Sequence, residues 1–391
     1  MWYGTKRYGM KQTPFLYGNI VSEKAFTDRE DERKKLYSNL TSGINTMIIS
    51  PRRWGKSSLV AKIFKEIAKE NSKIKIVNID LFAVSSEEEF LELFAKEIIK
   101  ASSKKWEDWA KSGKDFFKQL VPKISFGVDP ISDFSLSFDW SELRKNRNEI
   151  LNLPETIAIK RKIKFIVGLD EFQNLSTFVG YKIIEKRMRA VWQRQKLVTY
   201  CIYGSKRHMM SNIFDNSANP FFRFGDIILL QKIKTDKWIN YIHRGFKRTN
   251  KRIEKSGAKL ISSLMKNHPW YVQQLSHYTW NLTNDLATES EILKALEEVI
   301  YANSPLYQQE IEQLSKTQLN LLKAIVNNEK YLSSANVLQK YQLGTSRNVS
   351  KNKRNLINKD MVLKTEEGFE LLDPAFEIWF KKQFFNNSLY N

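Results

Sequence analysis

The sequence predicts an α/β fold: a parallel sheet carrying a phosphate-binding loop (a P-loop), then a helical lid, then a C-terminal winged-helix domain. Three observations point there. An apolar stretch at residues 44–49 breaks into Ser50-Pro51-Arg52-Arg53-Trp54-Gly55-Lys56-Ser57-Ser58, the layout of a strand, a tight loop and a helix opening on Gly-Lys-Ser. A longer apolar run at residues 164–169 ends in the paired carboxylates Asp170-Glu171. Beyond residue 313, three amphipathic segments are followed by a hairpin pattern. The expected organisation is a P-loop core over residues 1–234 with a β-hairpin insertion near 102–140, a lid over 235–312 and a winged helix over 313–391.

The chemistry of the loop follows from its place. Amides in the first turn of a helix lack intrahelical acceptors, and the helix dipole favours anions there. Pro51, Arg52, Arg53, Trp54, Gly55, Lys56, Ser57 and Ser58 are therefore the expected nucleotide-binding residues. Gly55 lets the backbone come close to a phosphate, and Lys56 is placed to neutralise the β/γ-phosphates. Ser57 offers a hydroxyl to Mg2+, a hard cation that takes oxygen ligands. Ser50 stands where the pattern G-x-x-x-x-G-K-[ST] has its first Gly. If that position needs positive φ, the exchange costs about 1–2 kcal/mol.

At 391 residues the chain has room for two or three domains and a sizeable core. Its formal charge of +21 suggests a polyanionic partner, nucleic acid or an anionic membrane surface. A general bias towards Lys is the alternative, and would spread the charge instead of concentrating it. No apolar run reaches the roughly 18 residues of a membrane span. The first residues lack the apolar region of a signal peptide. The single cysteine, Cys201, cannot form an intrachain disulfide, so a cytoplasmic location is expected.

Residues 1–25 read as an irregular arm. Thr27 or Asp28 is placed to cap a helix with acids in its first turn and Leu36 and Leu40 on one face. Residues 56–71 continue the loop as a helix. Residues 73–80 form a strand whose end, Asp80, falls at the carboxyl edge of the sheet, where α/β ligand sites gather. Residues 86–101 are helical. The insertion opens with Trp106, Trp109, Phe116 and Phe117. Residues 124–128 and 134–138 then alternate with period two around Asp129-Pro130, a hairpin pattern. Residues 141–160 read as a helix. The run ending at Leu169 reads as a buried parallel strand. Asp170 at its tip is expected to hold Mg2+, and Glu171 to act as general base on the attacking water.

Lys182, Lys186, Arg187, Arg189, Arg194 and Lys196 surround one acid, Glu185; a solvated face and a polyanion surface both stay open. Residues 197–203 form another strand, ending in Gly204-Ser205, and residues 226–230 form the last core strand, preceded by Arg223-Phe224. Residues 235–305 read as helical without a strong strand. They carry a second basic cluster (Arg244, Lys247, Arg248, Lys251, Arg252, Lys255) and a helix start at Pro269. In the C-terminal part Leu319, Leu322 and Ile325 mark one helix and residues 334–341 a second. Thr345 or Ser346 caps a third, which carries Arg347, Lys351, Lys353 and Arg354. Those four are the candidate contacts to DNA phosphates beside a major groove. Winged helices also bind proteins, so a protein partner stays open.

Phe26-x-x-Arg29-Glu30, the loop from Pro51 to Ser58, Leu169-Asp170-Glu171-Phe172-Gln173, Gly204-Ser205, Pro220-Phe221-Phe222-Arg223 and His268-Pro269 together resemble the archaeal-type ATPases, a STAND-like branch of the AAA+ group. The resemblance covers residues 14–280, with a winged helix following as in many relatives. It implies ATP and Mg2+ as cofactors. It implies Arg29 near the base pocket and Pro269 near the phosphates. It places Ser205 at the sensor 1 position, and Arg223 as an arginine finger reaching a neighbour's γ-phosphate in a homo-oligomer. Relatives usually have Gly two residues before the Pro, where this chain has Asn267. The expected activity is Mg2+-dependent ATP hydrolysis coupled to a conformational change, acting on or with double-stranded DNA, with Glu171, Lys56, Ser205 and Arg223 as the catalytic set. The alternative is a nucleotide-gated DNA-binding or protein-interaction switch with little hydrolysis.

Overall fold

The computed structural model describes residues 12–18, 29–102, 146–366 and 368–385, with two strands at 124–127 and 135–138. Phe26, the cap at Thr27 or Asp28, the aromatics Trp106, Trp109, Phe116 and Phe117, and the Asp129-Pro130 turn lie outside the described residues. Two compact units divide the chain: residues 29–52 with 56–231, and a second made of residues 53–55 and 232 onward, joined by residues 12–18.

The first unit runs α1 (Glu30–Thr41), β1 (Thr46–Ile49), α2 (Lys56–Glu70), β2 (Ile74–Asp80) and α3 (Glu87–Ser102). The strands β3 (Ile124–Gly127) and β4 (Ser135–Phe138) pair antiparallel, Ile124 opposite Phe138. Next come α4 (Arg147–Arg161), β5 (Lys164–Asp170), a 3-10 turn (Phe172–Thr177), α5 (Tyr181–Trp192), β6 (Val198–Gly204), α6 (Arg207–Asp215) and β7 (Asp226–Leu229). Five of these strands form one parallel sheet in the order β2-β5-β6-β1-β7.

Burial explains that order. All seven residues of β6 are buried, as a strand covered on both faces requires. At the edge, β7 buries Ile228 but exposes Leu229. Leu59, Val60, Ile63, Phe64 and Ile67 give α2 one apolar stripe towards the core. The order also prepares a site. Between β1, which feeds the P-loop, and β5, which ends in Asp170, lies β6. Strands repeat about 4.8 Å apart, so the two loops stand about 10 Å apart with the end of β6 between them.

The second unit contains α7 (Thr235–Arg248), β8 (Arg252–Ile253), α8 (Lys255–Leu264), α9 (Pro269–Leu282), β9 (Leu286–Ala287) and α10 (Glu289–Glu312). The parallel pair β8 and β9 was not expected; two residues per strand are too few for a period to show. Then follow α11 (Lys316–Val326), α12 (Ala335–Lys340), α13 (Ser346–Asn358), the antiparallel pair β10 (Val362–Lys364) and β11 (Phe369–Leu371), and α14 (Pro374–Phe385). Three helices and a hairpin make the winged helix. Thr345 is the residue that caps α13, accepting from the Asn348 amide at 3.3 Å. The closing helix α14 goes beyond the expected pattern; Asp373 caps it, accepting from the Phe376 amide at 2.9 Å.

One apolar core runs through this unit, joining Trp238, Val272 and Leu296 to Leu322, Val349 and Phe376. Phe15 from the N-terminal arm enters the same core. Its ring fills the space above Gly245, where an added Cβ would come within 2.6 Å of it. Among the described residues no helix is long and apolar enough to cross a membrane.

Candidate nucleotide-binding site

The P-loop leaves β1 at Ser50, which is buried and lies outside the positive-φ region. The strain considered for Ser50 is therefore not there. The left-handed residues of this loop are Arg53 (φ 64) and Gly55 (φ 88), so the position that lacks its Gly has no need of one. A Cβ added to Gly55 would meet nothing within 4 Å, which leaves open space at the turn into α2. Lys56, Ser57 and Ser58 are the first residues of that helix, so their amides have no acceptor within it.

Within the first unit, the start of α2 meets the end of β5. Lys56 Nζ lies 3.1 Å from Glu171 Oε1 and 4.0 Å from Asp170 Oδ1. Ser57 Oγ donates to Asp170 Oδ2 at 3.0 Å. Glu171 sits at φ 51, and its amide donates back to Asp170 Oδ1 at 2.8 Å. At the end of β6, Ser205 Oγ donates to Glu171 Oε2 at 2.8 Å, while Arg52 Nε reaches Ser205 Oγ at 3.4 Å. Gln173 Nε2 donates to Glu171 Oε2 at 2.5 Å.

Electrostatics separate the two acids. Burial pushes the Asp170 carboxyl up to about 6, against the pull of Lys56, the Glu171 amide and Ser57. Burial also opposes the charge on Glu171, but Lys56, Gln173 and Ser205 outweigh it and hold that carboxyl below its usual range. Glu171 is thus ionised near neutral pH and able to accept a proton. Asp170 is a carboxylate short of positive charge, which a divalent cation would supply. The donors fit Mg2+. Ser57 offers a hydroxyl oxygen and Asp170 a carboxylate, the hard oxygen ligands that Mg2+ takes. Among the described residues no group of three or more His, Cys, Asp and Glu is placed to hold a metal ion.

The tip of the P-loop belongs to the second unit. Arg53 Nη1 donates to Tyr271 Oη at 3.1 Å, and its guanidinium lies 4.6 Å from the centre of the Trp270 ring. Tyr271 in turn donates to Asp373, which also accepts from Tyr307 Oη at 3.2 Å. Trp54 is buried and meets His268 edge-on, with ring centres 6.2 Å apart. Burial, with Lys232 and Arg53 nearby, pushes the His268 imidazole down to about 3, so it is neutral. Pro269 is the first residue of α9, as the sequence suggested.

Other expected residues have other partners. Arg29 is buried; Nη1 donates to the Gln231 carbonyl at 2.5 Å and to Glu32 Oε1 at 3.0 Å, which fixes the start of α1 to the strand end beyond β7. Arg223 is exposed at φ 52, its guanidinium 5.1 Å from the Phe222 ring. On α5, Lys182 donates to Asn219 Oδ1 and Arg189 lies 4.9 Å from the Phe224 ring, so part of that basic cluster serves packing. On α13, Arg347, Lys351 and Arg354 are exposed on one face, whereas Lys353 is half-buried with Nζ 5.2 Å from the Phe369 ring. Sequence reasoning gave no role to Gln173, Tyr271 or Asp373. A polar residue between the buried Phe172 and Leu175 was the signal for Gln173, and Asp-Pro before an apolar period was the signal for Asp373. No local signal marks Tyr271 as a partner of Arg53.

Residues 53–268, more than half of the chain, match the KAP family P-loop domain. The chain belongs to the KAP family of P-loop proteins. Residues 305–382 of this KAP-family chain match a family described as a probable winged helix domain. In fold it is similar to the Walker-type ATPase PABY2304 of Pyrococcus abyssi (TM-score 0.65, 16% identity, covering 94% of this chain and 99% of that one). It is also similar to the ORC2 protein of Aeropyrum pernix in ADPNP–ADP complexes (TM-score 0.57, 15% identity, covering 94% and 99%). The ADP form of that ORC2 protein gives TM-score 0.55 at 14% identity, covering 95% and 97%. No curated protein matches the chain by sequence. The expected P-loop NTPase fold with a C-terminal winged helix is the fold found.

Proposed function

We propose that this KAP-family protein is a Mg2+-dependent ATP hydrolase that works with double-stranded DNA. The observation that carries the reading is the convergence of Lys56, Ser57, Asp170, Glu171 and Ser205 at the carboxyl ends of β1, β5 and β6. The loop amides and Lys56 take the β/γ-phosphates of ATP. Ser57 and Asp170 would hold Mg2+, which would supply positive charge to the phosphate oxygens. Glu171 accepts a proton from water as the water oxygen bonds to the γ-phosphorus. The bond from that phosphorus to the β,γ-bridging oxygen breaks, and ADP leaves with the electron pair. Ser205 orients Glu171. The ADPNP–ADP complexes of the Aeropyrum ORC2 neighbour support an adenine nucleotide in this fold.

In the same reading, residues 235–312 serve as the lid and 313–391 as the winged helix. Arg347, Lys351 and Arg354 meet DNA phosphates, supported by their exposure on one face of α13. Arg223, exposed beside the Phe222 ring, would serve a second copy of the chain. The test is ATP turnover with Mg2+ and after its removal by chelation, alongside duplex binding across a salt series. Turnover that is lost on chelation, with binding that falls steeply with salt, supports the reading. Metal-independent turnover removes the Mg2+ role, and salt-insensitive or absent duplex binding favours a protein partner.

A further inference from the structure

We infer that Gln173 is a positioning residue for Glu171: it ties up one carboxylate oxygen so that the other is presented to water. This rests on the hydrolase reading above. The two oxygens of Glu171 are treated differently. Oε2 accepts from Gln173 Nε2 at 2.5 Å, from Ser205 Oγ at 2.8 Å and from the Ser205 amide at 3.3 Å. Oε1 is contacted by Lys56 Nζ at 3.1 Å. A carboxylate oxygen has about two lone-pair sites, so Oε2 is saturated. A γ-phosphate that draws Lys56 to itself leaves Oε1 as the oxygen able to take the proton of water, on a carboxylate that cannot rotate away.

Gln173 is itself held by shape. It is 2% exposed, and its Oε1 is buried without a hydrogen-bond partner. That oxygen occupies the place where a side chain on Gly204 would start, 2.0 Å from the position of an added Cβ, with Met210 Sδ at 2.8 Å from the same point. The flipped amide would set Oε1 against the carboxylate, oxygen to oxygen, so the orientation with Nε2 on Glu171 is the one that hydrogen bonding requires. The absent side chain at residue 204, on the neighbouring strand, is thus part of the machinery that orients the base. Nothing in the motif Asp-Glu-Phe-Gln shows this, because Gly204 lies thirty-one residues further along.

Two substitutions test it. Gln173→Met keeps the volume and removes the donor. Gly204→Ala leaves Gln173 intact but displaces it. Both are expected to lower kcat for ATP about 10- to 100-fold with KM for ATP little changed, the signature of a misplaced base rather than a lost binding contact. In Gln173→Met the acid limb of the kcat profile moves to higher pH, because a donor to the charged form is gone. The same upward shift is expected for the Glu171 carboxyl followed by 13C NMR in the nucleotide-free protein, a readout that needs no turnover. Wild-type kcat and an unmoved carboxyl titration in Gln173→Met overturn the inference. A wild type that never hydrolyses ATP, yet whose carboxyl titration shifts with Gln173→Met, would sink the hydrolase reading and leave the orienting contact standing.

Discussion

Lys56 Nζ and Glu171 Oε1 lie 3.1 Å apart, so the proposed phosphate-binding cation and the proposed general base neutralise each other. Both side chains are largely withdrawn from water, at 9% and 18% exposure. Removing one partner strands the other charge. Lys56→Ala is expected to abolish ATP binding in calorimetry and to cost about 3 kcal/mol in denaturant unfolding. Retained ATP affinity would count against the P-loop assignment.

Asp170 gives the opposite stability effect. Its carboxyl is pushed from 3.8 to about 6 by burial, so the fold favours the protonated form. The stability linked to that proton is fully present below about pH 4 and lost as pH rises through about 6. Asp170→Asn is therefore expected to stabilise the nucleotide-free protein by up to roughly 3 kcal/mol at pH 8, with no gain near pH 4. The variant should also lose the extra melting temperature that Mg2+ adds to ATP binding. Equal stability of the two proteins at pH 8 would contradict this account of the site.

Tyr271 sits between a cation and an acid of the second unit, accepting from Arg53 at 3.1 Å and donating to Asp373. Burial raises the Asp373 pKa, and Tyr271 is the first group that offsets it. Tyr271→Phe leaves that carboxyl short of a donor and should cost about 1–3 kcal/mol, seen as a lower denaturant midpoint at unchanged m. A midpoint within error of wild type would mean that Tyr307 and the Phe376 amide suffice.

On α13, Arg347, Lys351 and Arg354 face solvent, while Lys353 packs near the Phe369 ring. Replacing both Arg347 and Lys351 with Ala should reduce the slope of log affinity against log salt for duplex DNA by about 2. Lys353→Ala should leave that slope unchanged, because Lys353 is spent on the Phe369 ring. A Lys353→Ala slope that falls as far as the double variant's would move the interface onto the hairpin side of α13.

The parts of this molecule that could be read in the sequence are those written in contiguous residues. The apolar run before Ser50, the Gly-Lys-Ser opening and the apolar run before Asp170-Glu171 state a strand, a loop and a strand tip, and the parallel sheet follows from them. The parts that stayed hidden depend on residues far apart in the chain. Whether Ser50 needs a Gly is decided by which residues turn left-handed, and here Arg53 and Gly55 do. The partnership of Gln173 with Gly204, and of Arg53 with Tyr271, appears only once strands and helices are in register. The four basic candidates of α13 illustrate the limit: composition named them all, but only the helical phase sets Lys353 against Phe369 and the other three towards solvent.

Steady-state ATP hydrolysis by the wild type and Glu171→Gln, each with and without mixed duplex DNA at low salt, tests whether Glu171 is the base of a DNA-coupled ATP hydrolase. The expected result is turnover by the wild type that duplex DNA raises, and ATP binding without turnover in Glu171→Gln. Undiminished turnover in Glu171→Gln would contradict the role of the base. Tight ATP binding with negligible turnover in all four conditions would contradict the hydrolase itself and leave a nucleotide-gated switch in its place.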